Sequence, residues 1–450
     1  MDKRNVTTHP GNWSRWIDTA DRKRIRAVQD QKVSRQARWV YTNSSYWREK
    51  FDEANCLPSA ISGVDDLTAV PFATKAEYRT AQSERPPYGG LLCRSREDLY
   101  ESGAFVWETS GTTGEPVQFL CSQNEYFRVD VEATCRILWT TGLRPGDTVA
   151  MFWPLTLWAV GHGIVDAARE LGMTVFPLGP SYSSEYRVEK LAAYQPSTIM
   201  TTPSYALRLA EVASENGFDP HALDVERVIV SGEPLPDGTR TAIAEAWGVS
   251  ERVFNYYGLS EAFNCRSIEC EEHDGMHVLE DLYLCQVVDP DGRDPVSEGE
   301  TGELVVTALE QRDIASGFHY RTGDLARFTD DPCACGRTTR RIKIESRKDD
   351  MKTIRGVNVF PQAIESIIRK TDSVADEFRL VLEQVGSLDR LTVVLEPEAD
   401  LSEEHYESIQ DQLERDFEKA FGGLTVMVEF VAPETLERFD FKADRWVDKR

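Results

Sequence analysis

The sequence predicts an α/β protein in two parts. A large N-terminal domain has mainly parallel sheets flanked by helices, plus a β-rich subdomain at its end, and a small α+β domain follows. Three observations carry this. Short apolar runs alternate with helical patterns up to residue 231, the rhythm turns β-rich from about Val278, and the stretch after Asp349-Asp350 has a pattern of its own. Strands that alternate with helices are joined by crossovers, and crossovers give parallel pairing.

Residues 125–141 carry apolar side chains at helical spacing, and the turn Gly142-Leu143-Arg144-Pro145-Gly146-Asp147 ends them. A buried strand is expected at 148–153, a helix at 162–171 stopped by Gly172, and a strand at 174–177. The alternation repeats as helix 185–194, strand 198–201, helix 205–216 and strand 227–231. The β-rich section contributes strands at 282–288, 302–309 and 325–328, with Asp289-Pro290-Asp291-Gly292 as a turn after the first. The last part reads as strands 379–383 and 391–395, an amphipathic helix 402–421 and a strand 425–430. The division into domains therefore falls at 1–348 and 349–450.

A chain of 450 residues, 41% hydrophobic and 28% charged, has the composition of a soluble globular protein with ample core. The longest apolar stretch, 149–165, is interrupted by Pro154, His162 and two glycines, so it reads as strand–loop–helix and not as a membrane span. Met1-Asp2-Lys3-Arg4 leads into no apolar segment of a secretory signal. Nine irregularly spaced cysteines make no disulfide framework and fit a reducing cytoplasm. A net charge of −25 speaks against a nucleic-acid partner. The first forty residues run the other way, with ten Lys/Arg against four Asp/Glu, and are expected to form a solvated helix face.

The segment Thr109-Ser110-Gly111-Thr112-Thr113-Gly114-Glu115-Pro116 is the most informative stretch, since six of its eight residues are Gly, Ser or Thr. Glycines let backbone N–H groups approach an anion, and hydroxyls add donors that follow phosphate oxygens. It is no Walker A loop, because no Lys-Ser/Thr follows the second Gly and the flanks read strand–loop–strand. Taken alone, a hairpin turn also fits.

Four further motifs follow in order: Val230-Ser231-Gly232-Glu233-Pro234, Asn255-Tyr256-Tyr257-Gly258-Leu259-Ser260-Glu261, Tyr320-Arg321-Thr322-Gly323-Asp324, and the block from Arg347-Lys348-Asp349-Asp350 to Phe360-Pro361. Phe441-Lys442-Ala443 lies near the end. In this order and spacing they resemble the adenylate-forming superfamily, most closely the phenylacetate–CoA ligases and their relatives.

The resemblance implies that a carboxylic acid is joined to ATP as acyl-AMP, that pyrophosphate leaves, and that a thiol then displaces AMP. It implies phosphate contacts from Ser110, Gly111, Thr112, Thr113 and Gly114. Tyr257 and Gly258 would lie against adenine, with Gly232 and Glu233 on the ring's other side. Glu261, next to Ser260, would hold Mg²⁺, Asp324 the ribose hydroxyls, and Arg347 the ribose–phosphate region. Lys442 would be the mobile catalytic lysine and Asp349 the hinge of the mobile C-terminal domain. Val117 stands where many superfamily members have a lysine that phenylacetate-type ligases also tend to lack, and Ser346 stands where a Gly is usual. Coenzyme A or the phosphopantetheine arm of a carrier protein is the expected acceptor, without membrane or nucleic acid, and a homodimer is admitted.

The segment 152–158 aligns with the stretch lining the aryl pocket in phenylacetate-type ligases. Trp153 and Trp158 are its candidate walls, and His162 is either a contact to a ring substituent or a satisfied core histidine. Together they suit a small aromatic carboxylic acid. Cys333-Ala334-Cys335-Gly336 has the form of a metal knuckle, and Cys270 and His277 complete a Cys₃His set for structural Zn²⁺. Cys265 and His273 are alternative ligands, and reduced cysteines without a metal also fit.

Overall fold

The computed structural model describes residues 15–109, 115–262, 265–348, 350–355, 357–371, 373–385, 388–397, 403–438 and 445–450. Strands β1 (Ala104–Glu108) and β2 (Gln118–Ser122) form an antiparallel hairpin. Its connection carries the glycine-rich segment, so the strand–loop–strand expectation holds at the flanks.

The main sheet begins with β3 (Thr148–Met151), β4 (Thr174–Pro177), β5 (Thr198–Thr201), β6 (Arg227–Val230) and β7 (Val253–Leu259). It continues with β8 (Cys265–Glu269), β9 (Met276–Val278), β10 (Tyr283–Val288), β11 (Gly302–Ala308), β12 (Tyr320–Thr329) and β13 (Arg341–Arg347). All eleven are hydrogen-bonded in the order β10-β11-β12-β13-β9-β8-β7-β6-β5-β3-β4. Joins from β3 to β7 are parallel, and those beyond β7 are antiparallel. The β-rich subdomain is thus an extension of the parallel sheet through β7.

The inner parallel strands β3, β5 and β6 are buried because helices cover them, whereas the edge strand β4 is only partly covered. The helix Pro203–Glu215 starts where the Thr202 hydroxyl accepts from the N–H of Tyr205 and Pro203 occupies the first turn. The helix Ala159–Glu170 packs unusually close to the sheet. A Cβ on Gly163 would stand 2.5 Å from the Arg266 guanidinium and 2.9 Å from the Asp130 carboxylate. Arg266 and Asp130 are both fully buried and paired at 2.9 Å, so each charge is compensated where water is absent.

The N-terminal basic helix, Arg22–Asn43, differs from the expected solvated face. Lys32 and Arg35 pair with Glu310 at 2.7 and 2.9 Å, and Arg22 pairs with Asp330 at 3.1 Å. Its other face buries Ile25, Val33, Ala37 and Val40. The acidic body docks the helix through ion pairs, where simple screening was expected.

Beyond the main sheet, β14 (Lys352–Ile354) and β15 (Val357–Val359) pair with each other. A four-stranded sheet, in the order β18-β17-β16-β19, joins β16 (Val374–Val385), β17 (Leu388–Pro397), β18 (Val426–Phe430) and β19 (Trp446–Asp448). The helix Glu403–Ala420 packs on it through Leu413 and Phe417, which belong to a hydrophobic core of its own. No helix among the described residues is long and apolar enough to cross a membrane.

Candidate active site

Asp324 on β12 and Arg347 on β13 face each other in register, and the Arg347 guanidinium donates to Asp324 Oδ1 at 3.0 Å. The Tyr257 hydroxyl on β7 donates to the other oxygen, Oδ2, at 2.6 Å. Three strands separate β7 from β12 in the hydrogen-bonded order. In a flat sheet four strand spacings of about 4.8 Å would hold them roughly 19 Å apart. The antiparallel half must therefore curl back on itself, and this bond is where it closes. Burial, then the adjacent Asp324 carboxylate, push the Tyr257 phenol well above its ordinary range. It stays a neutral donor.

Glu261 follows β7 directly, is only 6% exposed, and has Lys75 Nζ at 3.2 Å from Oε1. Lys75 opens the helix Lys75–Glu84, which Thr74 and Glu77 fix by a reciprocal capping box. The same helix carries Arg79, whose Nε donates to the Glu115 carbonyl at 2.8 Å. Between β1 and β2, Thr109 N–H donates to the Val117 carbonyl at 3.0 Å and Val117 N–H to the Thr109 hydroxyl at 3.2 Å. Trp107 Nε1 donates to the Ser260 carbonyl at 3.3 Å, which ties the base of the glycine-rich segment to the Glu261 region. Ser110, Gly111, Thr112, Thr113 and Gly114 themselves lie outside the described residues, as do Asp349 and Lys442.

Gly232 turns with φ +89°, a conformation that a Cβ would strain. The Glu233 carboxylate accepts from the Ser204 N–H and hydroxyl at 3.0 and 2.9 Å, so its side chain serves the start of the helix Pro203–Glu215. Gly258 lies on β7 beside Tyr257.

The aromatic residues divide. Trp153 is fully buried in the main core, 5.9 Å from the Tyr256 ring. Trp158 is half-buried at the start of the helix Ala159–Glu170. His162 Nε2 lies 2.9 Å from the Thr156 carbonyl, and its ring meets Phe105 edge-on at 5.1 Å. Phe105 also stacks on Tyr126 at 4.9 Å, and the Tyr126 hydroxyl donates to Asp166 at 2.9 Å. The segment before Trp158 is tied to this wall where Glu108 N–H donates to the Leu157 carbonyl at 2.8 Å. Phe105 and Tyr126 were not singled out from the sequence, because only the β1–β2 pairing brings them to this wall.

The Cys270, His277, Cys333 and Cys335 donor atoms all lie within 4.8 Å of one another. Cys270 and Cys333 sulfurs are 3.7 Å apart, and Cys335 Sγ is 3.5 Å from His277 Nε2. Tetrahedral bonds of about 2.3 Å to sulfur and about 2.0 Å to nitrogen give edges of about 3.8 Å for S···S and about 3.5 Å for S···N. These two distances match edges around one tetrahedral ion, and the sulfur–sulfur distance is far longer than a disulfide bond. His277 Nδ1 lies 3.2 Å from the Thr339 hydroxyl, and Arg337 donates to Cys335 Sγ at 3.4 Å. The Cys270 thiol first, and the His277 ring after it, pull the Cys335 thiol well below its ordinary range. Cys265 and His273 stand outside the group; His273 is 3.3 Å from Glu269.

Residues 29–311 match the AMP-binding enzyme family, and residues 356–450 match the AMP-binding enzyme C-terminal domain. The chain belongs to the AMP-binding enzyme family. Within that family, the phenylacetate-coenzyme A ligase of Thermus thermophilus is 35% identical over 84% of this chain and 83% of its own. The phenylacetate-coenzyme A ligase of Aromatoleum evansii is 32% identical over 96% of each chain. A crystal structure of 2-hydroxyisobutyryl-CoA ligase in the postadenylation state, in complex with R3-HIB-AMP, is 28% identical, covers 98% of this chain and 92% of its own, and superposes with a TM-score of 0.90. For the same ligase in its thioesterification state the score is 0.71, with 97% and 92% covered. The family member described here is an AMP-forming acid–thiol ligase.

The sequence reading of this AMP-binding enzyme missed Lys75. A lysine in the first turn of a helix reads as solvated, and nothing local marks its approach to Glu261. The one signal was indirect: Val117 left the phosphate loop without the lysine common elsewhere in the superfamily.

Proposed function

We propose that this ligase activates an aromatic carboxylic acid of the phenylacetate or benzoate type with ATP and passes the acyl group to the thiol of coenzyme A. The observation that carries the reading is the joined Tyr257, Asp324 and Arg347 beside the buried Glu261. A carboxylate offers about four acceptor positions, so Asp324 can take ribose hydroxyls alongside its protein donors. Tyr257 presents its ring to adenine, and the backbone at Gly232 and Glu233 closes the other face. Arg347 reaches the ribose–phosphate region.

In the first half-reaction a carboxylate oxygen of the acid bonds to the α-phosphorus, and the bond to the β-phosphate oxygen breaks with its electron pair on pyrophosphate. Two anions approach each other, so positive charge is needed where they meet. Lys75 supplies it beside Glu261, in a chain where Val117 follows Pro116. Glu261 would hold Mg²⁺, which when bound neutralises charge on the phosphate oxygens. Lys442 bridges the acid carboxylate and the α-phosphate, and Ser110 to Gly114 hold the pyrophosphate end; these two assignments rest on their motifs. In the second half-reaction the thiol sulfur bonds to the acyl carbon and AMP leaves. Rotation of 349–450 about Asp349 separates the two steps.

Phe105 and Tyr126, with His162 against Phe105, form an aromatic wall suited to a flat acid, and relatives at 30–35% identity are phenylacetate-coenzyme A ligases. Cys270, His277, Cys333 and Cys335 hold structural Zn²⁺, since four protein donors leave no open position for chemistry. Nine cysteines without a disulfide and the use of ATP and coenzyme A fit the cytoplasm.

ATP–pyrophosphate exchange across aryl and alkyl acids, followed by a thioester assay with free coenzyme A, tests the reading. Exchange with aryl acids and consumption of coenzyme A are expected. Exchange without consumption would assign the acceptor to a carrier protein, and no exchange with any acid would refute the proposal. Light scattering of the same sample tests for a homodimer.

A further inference from the structure

The nucleotide residues come from two halves of one curled sheet. Tyr257 stands on β7, whereas Asp324 and Arg347 stand on β12 and β13. Among the described residues, the strand ladders of the two halves meet only where β9 pairs with β13. That join has two residue pairs, Arg341 with His277 and Ile342 with Met276. Every other join in this sheet has at least three. A three-residue strand with two cross-strand pairs is a weak seam, because sheet stability scales with such pairs.

The Cys/His group sits on that seam. Cys270 directly follows β8, and His277 lies within β9. Cys333 and Cys335 occupy the connection from β12 to β13, where Cys333 N–H donates to the Arg337 carbonyl at 2.9 Å and Gly336 N–H to the Cys333 carbonyl at 2.9 Å. Two ligands thus belong to the β7–β8–β9 half and two to the β12–β13 half. His277 is also the residue that pairs with Arg341. Other ties exist nearby, from Arg341 to the Asp274 carbonyl at 2.7 Å and from Arg340 N–H to Glu280 at 2.7 Å. These lie at the same end of β13. Arg347 lies six residues along β13 from Arg341, about 20 Å away at the usual strand rise.

We propose that a tetrahedral metal at Cys270, His277, Cys333 and Cys335 acts as the clamp that aligns the two halves of the nucleotide site, setting the reach between Tyr257 and Asp324. The inference rests on the zinc reading above and gives that metal a positioning role in ATP binding. Its mark is selective. The aromatic wall is built from Phe105, Tyr126 and His162, all from chain segments preceding β7, and it does not cross the seam. Loss of the clamp should therefore weaken ATP binding and leave acid binding in place.

The test starts with metal content of the purified full chain, by elemental analysis, and with exchange of the metal for Co²⁺, whose thiolate charge-transfer absorption reports the ligand set. Removal by a chelator, and Cys335→Ser separately, should raise the KM for ATP in pyrophosphate exchange roughly 10-fold or more, the cost of one misaligned hydrogen bond to a charged group. The KM for the acid should stay within about twofold by the same energetic scale, and added Zn²⁺ should restore the chelated enzyme. Thr339→Val removes the partner of His277 Nδ1 and keeps all four ligands, so it should give a smaller ATP defect that excess Zn²⁺ rescues. It serves where Cys335→Ser fails to fold. Stoichiometric metal whose removal leaves the KM for ATP unchanged, or moves both KM values equally, overturns the positioning role and leaves the zinc reading standing. Absence of bound metal after supplementation overturns both.

Discussion

Replacing Asp324 with Asn tests the nucleotide site with almost no change of volume. Asp324 is 4% exposed and accepts from Tyr257 at 2.6 Å and Arg347 at 3.0 Å. Arg347 can only donate, so the amide oxygen must turn toward it, and the amide nitrogen then donates to the Tyr257 oxygen. The contacts within the protein survive as weaker ones. Arg347 is a third exposed, so water screens much of its charge and the stability loss is small. Binding of the ribose suffers more. A charge-assisted bond contributes roughly 1 kcal/mol more than a neutral one, and two hydroxyls would feel the change, giving about 2–3 kcal/mol. That corresponds to a KM for ATP raised roughly 30- to 150-fold. The turnover number should fall less, because the ribose lies away from the reacting phosphorus. Pyrophosphate exchange titrated with ATP at saturating acid reads both parameters, and circular dichroism confirms the fold. A KM for ATP within about threefold of the wild type in a folded variant would refute the assignment of Asp324.

Lys75→Met keeps the aliphatic stem and removes the charge. It should cut exchange on the order of 100-fold at unchanged acid KM, and wild-type exchange would dismiss the residue. Lys442→Ala should lose adenylation by about 10²–10³-fold while retaining thioester formation from supplied acyl-AMP. Equal loss of both half-reactions would contradict a rotating domain. His319 is a stability prediction: burial, with Arg293 and Arg321 adding to it, holds its pKa down to about 3. The unfolded chain, with a histidine pKa of about 6.5, takes up a proton there that the folded chain refuses. This contribution is complete above about pH 6.5 and is lost toward pH 3 at about 1.4 kcal/mol per pH unit. His319 has φ +45°, which Asn tolerates, so His319→Asn should flatten urea-unfolding stability between pH 6.5 and 4 by about one proton. An unchanged slope would show that other groups set the acid sensitivity.

The parallel half of the sheet was legible because its strands obey the simplest rule. β4 and β5 have the expected bounds, since short apolar runs between turn residues have no other fate in a βαβ chain. β8 and β9 were not legible. Cys265–Glu269 reads as polar, yet all five residues are buried, because Arg266 finds Asp130 and Glu269 finds Arg240 at 2.8 Å from distant segments. Partners 136 and 29 positions away leave no periodic signal. The same holds at the site. The motif containing Tyr257 pointed to its ring, whereas the hydroxyl bond to Asp324 depends on the curl of the sheet.

Val117 shows how a departure from the superfamily pattern can be structural at one position and compensated at another. Its side chain is fully buried in the main core, and its backbone exchanges bonds with Thr109. A lysine there would carry an unpaired charge into apolar surroundings at a cost of several kcal/mol. The cation instead enters from the helix Lys75–Glu84, which already grips the segment through Arg79 and Glu115. A cation in the first turn opposes the helix dipole, at a cost of about 0.3–1 kcal/mol. Glu261 offsets that cost by pairing with Lys75, and Glu77 places a negative charge in the same turn. A lysine held against the local field beside a buried carboxylate is better explained by the charges it meets than by the stability of its helix.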